Sequence, residues 1–158
     1  MVYHSKTIAY SIWHIFRIED IVAHTLISEN EQVFFSGNYQ ERINSPIITT
    51  GNELVKEQIA DFSKQLNIKE LYSYIFAVKD STEKIINSLS YDQLKKKVSE
   101  ERREHLKLLN VVSNDENAIW LIDYWCGKDI RGLIQMPFSR HWIMHIEASL
   151  RIKNKIHS

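Results

Sequence analysis

Glycine and proline are scarce in this chain, four and two among 158 residues. A β-sandwich or barrel needs a turn signal every ten residues or so, and that supply is missing. The single cysteine, Cys126, excludes an intrachain disulfide and fits a reducing cytoplasm. No apolar run reaches the ~18 residues of a membrane span, and no signal-peptide pattern opens the sequence. A surplus of one charge is absent too, with 20 basic residues against 20 acidic. A nucleic-acid binder carries a basic excess to neutralise phosphates, so neither nucleic acid nor membrane is expected as a partner. There is no phosphate-cradling glycine loop, nucleophile elbow or CxxC pair.

What is present is an ordinary globular mixture, 44% hydrophobic and 25% charged, long enough for one all-α domain over 1–158. Ile8 to Leu26 contains neither proline nor glycine and is apolar on several sides, which predicts a central helix with neighbours on most of them. Arg17, Asp20 and His24 share a narrow polar strip on it. Ser28 to Thr49 reads as a long crossover connection with a short helical turn near Gln32 to Phe35. Thr50 and Glu53 have capping-box spacing ahead of a helix through Leu66, and Asn67 with Glu70 repeats that spacing. Leu71, Ile75, Val78, Thr82, Ile85 and Leu89 then hold one amphipathic seam. A charged helix follows from Ser90 to about Asn110, with the run Lys95 to Glu104 as its solvated face. A short helix from Asp115 to Trp125 should close at a left-handed Gly127, and Pro137 suits the first position of a last helix reaching Lys155.

The chemistry-bearing pattern is histidine. His141 and His145 lie one turn apart and project from one helix face, together with Ala148 and Ile152, while Arg140, Glu147 and Arg151 fall on the other side. The pair therefore points inward, where an unpartnered imidazole is costly. Two core histidines bonded to carbonyls would satisfy the pattern; so would a metal. His14, on the apolar face of the first helix with Tyr10 one turn before it, supplies the third imidazole of a His₃ site, and such a site leaves a coordination position open. His24, His105, His4 and His157 read as solvated, Glu19 and Asp20 as surface or salt-bridge groups, and Cys126 as a buried structural thiol. The four tryptophans read as core, with Trp13 and Trp142 as possible walls of the site.

The stretch from Ile8 to Asp20 around His14, and Pro137 to His145 around the other two histidines, resemble the metal-bearing helices of the DinB-like (YfiT-like) superfamily. Thr49 to Leu54 and Trp120 to Trp125 extend the likeness over most of the chain. The resemblance implies a four-helix bundle with crossover connections and a divalent metal, nickel or zinc, on His14, His141 and His145. It also implies a metal-dependent S-transferase that joins a low-molecular-weight thiol to a small electrophile; a metal that polarises water instead would make a hydrolase. A non-catalytic metal-binding or stress-related module is the other class the residues allow. That family carries a further helix ahead of the one bearing His14, and here only about half a dozen residues precede it. The first bundle helix is thus expected to be missing or replaced. An open groove exposing Ile8, Ile12, Ile15, Phe16 and Val22 would then favour a homodimer.

Overall fold

A computed structural model describes residues 6–156, which leaves His4 and His157 outside the described residues. Helix α1 (Ile8–Asp20) starts on Thr7, whose side chain accepts the Tyr10 N–H, and runs without a break into a π-helical segment, Ile21–Ser28. Then come α2 (Val33–Ser36), α3 (Tyr39–Ile43), α4 (Glu57–Gln65) and α5 (Ile68–Ser88). The second half holds α6 (Tyr91–Leu94), α7 (Glu100–Leu108), α8 (Trp120–Cys126) and α9 (Ile130–Leu133). Helix α9 widens into a second π-helical segment, Ile134–Arg140, and continues as α10 (His141–Ile156). Among the described residues the regular structure is all helix, with one isolated β-bridge between Lys97 and Asp129.

The α1 rod is central, as its apolar circumference requires. Its N-terminal half carries Tyr10, Trp13, Ile15 and Phe16 into a core shared with Phe34, Ile43, Phe62, Leu71 and Tyr74. Its C-terminal half carries Ile21, Val22 and Leu26 into a second core with Leu106, Leu121, Trp125 and Leu133. The groove expected to be open is closed within the chain, with α5 and α10 packed along α1 and Trp142 of α10 against Phe16. Ile15, Phe16 and Val22 are buried, and Ile8 and Ile12 are half-buried. The ground on which a homodimer was expected at that face is therefore gone.

Several local expectations are overturned for identifiable reasons. Thr50 and Glu53 form no capping box, because Gly51 takes φ +77° and Lys56 φ 49°, so the helix starts only at Glu57. Asn67 does cap α5 by accepting the Glu70 N–H. Ser90 and Gln93 make a true capping box, but the charged helix breaks after Leu94 and restarts on Ser99. The α8 helix begins at Trp120 rather than Asp115, and Gly127 after it is right-handed at φ −77°. Pro137 lies inside a helix, not at its start. The real start signal is Asp129, whose carboxylate accepts the Gly132 N–H, and the π-widened turns accommodate the ring and the missing N–H of Pro137.

The polar strip on the α1 rod is the largest departure. Arg17, Asp20 and His24 are buried, with Glu19 beside them. Asp20 accepts the Val33 and Phe34 N–H groups at 2.9 and 2.8 Å and the Tyr74 hydroxyl at 2.8 Å, so it caps α2 from inside the core. Arg17 lies 3.7 Å from it, donates to the Ile48 carbonyl and stacks 4.3 Å above the Phe34 ring. His24 bridges Asp20 and Ser81. Charges that a helical wheel places on a solvent strip here tie the Ser28–Thr49 crossover to the bundle.

Candidate metal centre

His14 sits at mid-length of α1, and His141 and His145 occupy the first two turns of α10, which packs along α1. Their rings meet with centroids 4.5 to 5.0 Å apart. Nε2 of His141 is 3.2 Å from Nε2 of His14 and 3.0 Å from Nε2 of His145. A donor atom from each ring lies within 4.8 Å of the other two. Imidazole nitrogens sharing one ion at about 2.0–2.1 Å lie roughly 2.9 Å apart at right angles and roughly 3.4 Å apart at tetrahedral angles. Both short separations fall in that interval.

The proton inventory makes the arrangement informative. Nδ1 of His14 is 2.6 Å from the Thr50 carbonyl, which can only accept, so Nδ1 carries the proton and Nε2 presents a lone pair. His141 then faces that lone pair on one side and His145 on the other, and one N–H cannot serve both contacts well. A cation that accepts all three lone pairs can, so the donor set fits a metal. Among the described residues, Nδ1 of His145 is buried without a hydrogen-bond partner, His141 has the Pro137 carbonyl near it, and His14 has the short contact to Thr50.

Electrostatics favour neutral rings. Burial, then the other imidazoles, holds His14 well below the ordinary histidine value despite the Thr50 carbonyl. Burial pushes His141 and His145 down to about 4, and the Lys6 ammonium acts in the same direction on both. Neutral imidazole is the form a metal needs.

The loop from Thr49 to Glu53 was expected to be a helix start, and its role as a support for His14 was missed. Gly51 lies against the Trp13 and Tyr10 rings, where its positive φ and missing side chain let the Thr50 carbonyl reach His14. Tyr10 stacks on His14 at 5.4 Å and gives its hydroxyl proton to the Gly51 carbonyl at 2.8 Å. Trp13 is buried against Phe62, and Trp142 bonds Glu19 at 3.1 Å through its indole N–H, tying α10 to α1. Instead of these two indoles, Trp120 and Trp125 share a cavity wall with His141. Trp120 is half exposed, contrary to a core role. His24 is buried in the Asp20 cluster and His105 is exposed, so neither joins the triad. Cys126 is half-buried, and burial raises its thiol above the usual value, the reverse of an activated nucleophile. No helix among the described residues is long and apolar enough to cross a membrane.

Comparisons of this chain with protein-family models, curated proteins and solved structures return no match.

Proposed function

We propose that this chain holds one divalent transition metal, nickel or zinc, on His14, His141 and His145, and uses it to join a small thiol to an electrophile, the thiol proton passing to solvent and any leaving group departing with its bonding electrons, as some members of the DinB-like superfamily do. The observation that carries the metal is the meeting of three neutral imidazoles around a point that one N–H cannot satisfy. When bound, such an ion supplies a Lewis acid that lowers the pKa of a thiol or water at its open positions. The protein's part is to keep the rings unprotonated by burial, to fix the His14 tautomer through Thr50, and to hold α10 on α1 through Trp142 and Glu19. We assign the attacking sulfur to the substrate, since Cys126 is not among the residues brought to the triad and burial raises its thiol. A reducing cytoplasm, where free thiols persist, suits that role.

Metal analysis of freshly purified protein tests the first half: about one ion per chain, lost in a His141→Ala/His145→Ala variant. A screen of low-molecular-weight thiols with small electrophiles on the nickel- or zinc-loaded protein tests the second. One observation favours a non-catalytic metal-binding module instead. Tyr10, the nearest candidate proton carrier, has its hydroxyl committed to the Gly51 carbonyl. Stoichiometric metal with no turnover across the screen would select that reading.

A further inference from the structure

His141 also forms part of the wall of a second feature, a cavity of about 150 Å³ bounded by α1, α8, the second π-helical segment, α10 and the loop residue Asn52. Apart from His141 and the Asn52 carboxamide, the wall is nearly all carbon and sulfur. It is made chiefly of Trp120, Tyr124, Trp125, Met136 and Met144. Trp120 donates its indole N–H to the Asn117 carbonyl at 3.0 Å and meets Tyr124 edge-on at 5.5 Å, so two of the rings are already held in place. The two methionines add pliable, polarisable surface. Trp120 and Met144 are 49% and 58% exposed, which puts them on the side open to solvent.

Size and lining together limit what enters. An apolar cavity of about 150 Å³ admits one benzene ring. Its wall would leave a sugar's hydroxyls unpaired. We infer that this cavity takes a single six-membered ring, or an alkyl group of similar bulk, and that the substrate of the metal centre is accordingly a small aryl or aralkyl compound. The ring would lodge against Trp120 and Trp125 and direct its substituent toward His141. The word substrate rests on the function proposed above; ring binding by the cavity does not.

The methionine methyl groups give a direct test, because the chain has only three, Met1, Met136 and Met144. Metal-free protein with ¹³C-labelled methionine methyls is titrated with toluene. Saturable shifts are expected at Met136 and Met144. Filling the cavity in Met144→Trp should abolish the Met136 shift, and removing a wall in Trp120→Ala should weaken toluene at least tenfold. A non-saturable response, or unchanged titrations in both variants, would overturn the inference. The link to the metal is read separately in cobalt(II)-loaded protein. Phenylmethanethiol should produce a sulfur-to-cobalt absorption band at a concentration at least tenfold below that required of 2-mercaptoethanol, and equal concentrations would overturn the link. Toluene binding in a protein that takes up no cobalt would sink the metal reading and leave the ring site standing. Cobalt uptake without toluene binding would sink the ring site alone.

Discussion

The Thr50 carbonyl accepts a hydrogen bond from Nδ1 of His14 at 2.6 Å, and that contact settles which nitrogen of His14 faces His141. It also makes a loop residue 36 positions away in sequence part of the candidate metal centre. Its consequences can be measured.

Gly51→Ala should damage the centre without touching a histidine. A Cβ at Gly51 would lie 2.7 Å from Trp13 and 3.1 Å from Tyr10, on a backbone at φ +77°. The buried Trp13 ring cannot retreat, so the loop shifts and the Thr50 carbonyl leaves His14. Removing such an outer anchor costs about 10–100-fold in metal affinity. Competition for zinc against a chromophoric chelator reads the change, and unchanged affinity would remove Thr50 from the centre.

Metal affinity should hold to lower pH than in an exposed histidine site. Three imidazoles at the ordinary value of about 6.5 would each lose roughly eightfold of their neutral form between pH 7 and 5.5. His141 and His145 are held at about 4 and His14 is also lowered, so the folded protein should lose less than about threefold overall. Metal-free stability shows the other side of the same linkage. The unfolded chain takes up protons at these positions below about 6.5 while the folded chain waits until about 4, so stability is full above that window and falls as the pH drops through it. Zinc titrations and urea midpoints at four pH values test both.

Asp20→Ala should be among the most destabilising single substitutions in the chain. It strips the acceptor from two N–H groups of α2 and from Tyr74, and removes the carboxylate partner of the buried Arg17 guanidinium. Breaking a buried pair from one side costs about 3–5 kcal/mol. A fall in melting temperature of roughly 10 °C follows for a chain of this size. A loss comparable to that of an exposed pair such as Lys64–Asp61 would show that the cluster is not a hub.

Glu19→Gln should separate the tie to Trp142 from the charge. Burial raises the Glu19 carboxyl above its usual value, so the folded state keeps this proton longer than the unfolded one. Its contribution is therefore most favourable at low pH and declines as the pH rises through the folded value. Glutamine keeps an acceptor for the Trp142 indole and cannot ionise. The variant should have the higher urea midpoint at pH 7.5 and lose that advantage at pH 4; an advantage at both would mean the charge is not the cause.

Local sequence determined three things: scarce glycine and proline pointed to helices, the apolar circumference of the His14 helix made it central, and the 3.6-residue repeat put His141 and His145 on one inward face. Asn67 and Ser90 announced their helix starts for the same local reason. Only the tertiary structure decided the rest. Whether Arg17, Asp20 and His24 face water depends on whether another segment covers their strip, and the segment that does begins at Val33, beyond the helix. Thr50 and Glu53 fit a capping pattern, yet packing of Gly51 against Trp13 outweighed it. Pro137 marks a helix start only where no earlier turn can propagate, and Asp129 had already begun one. The ring-sized cavity beside His141 is made by α8 folding back on α1, a relation between residues about 100 positions apart that no local repeat encodes.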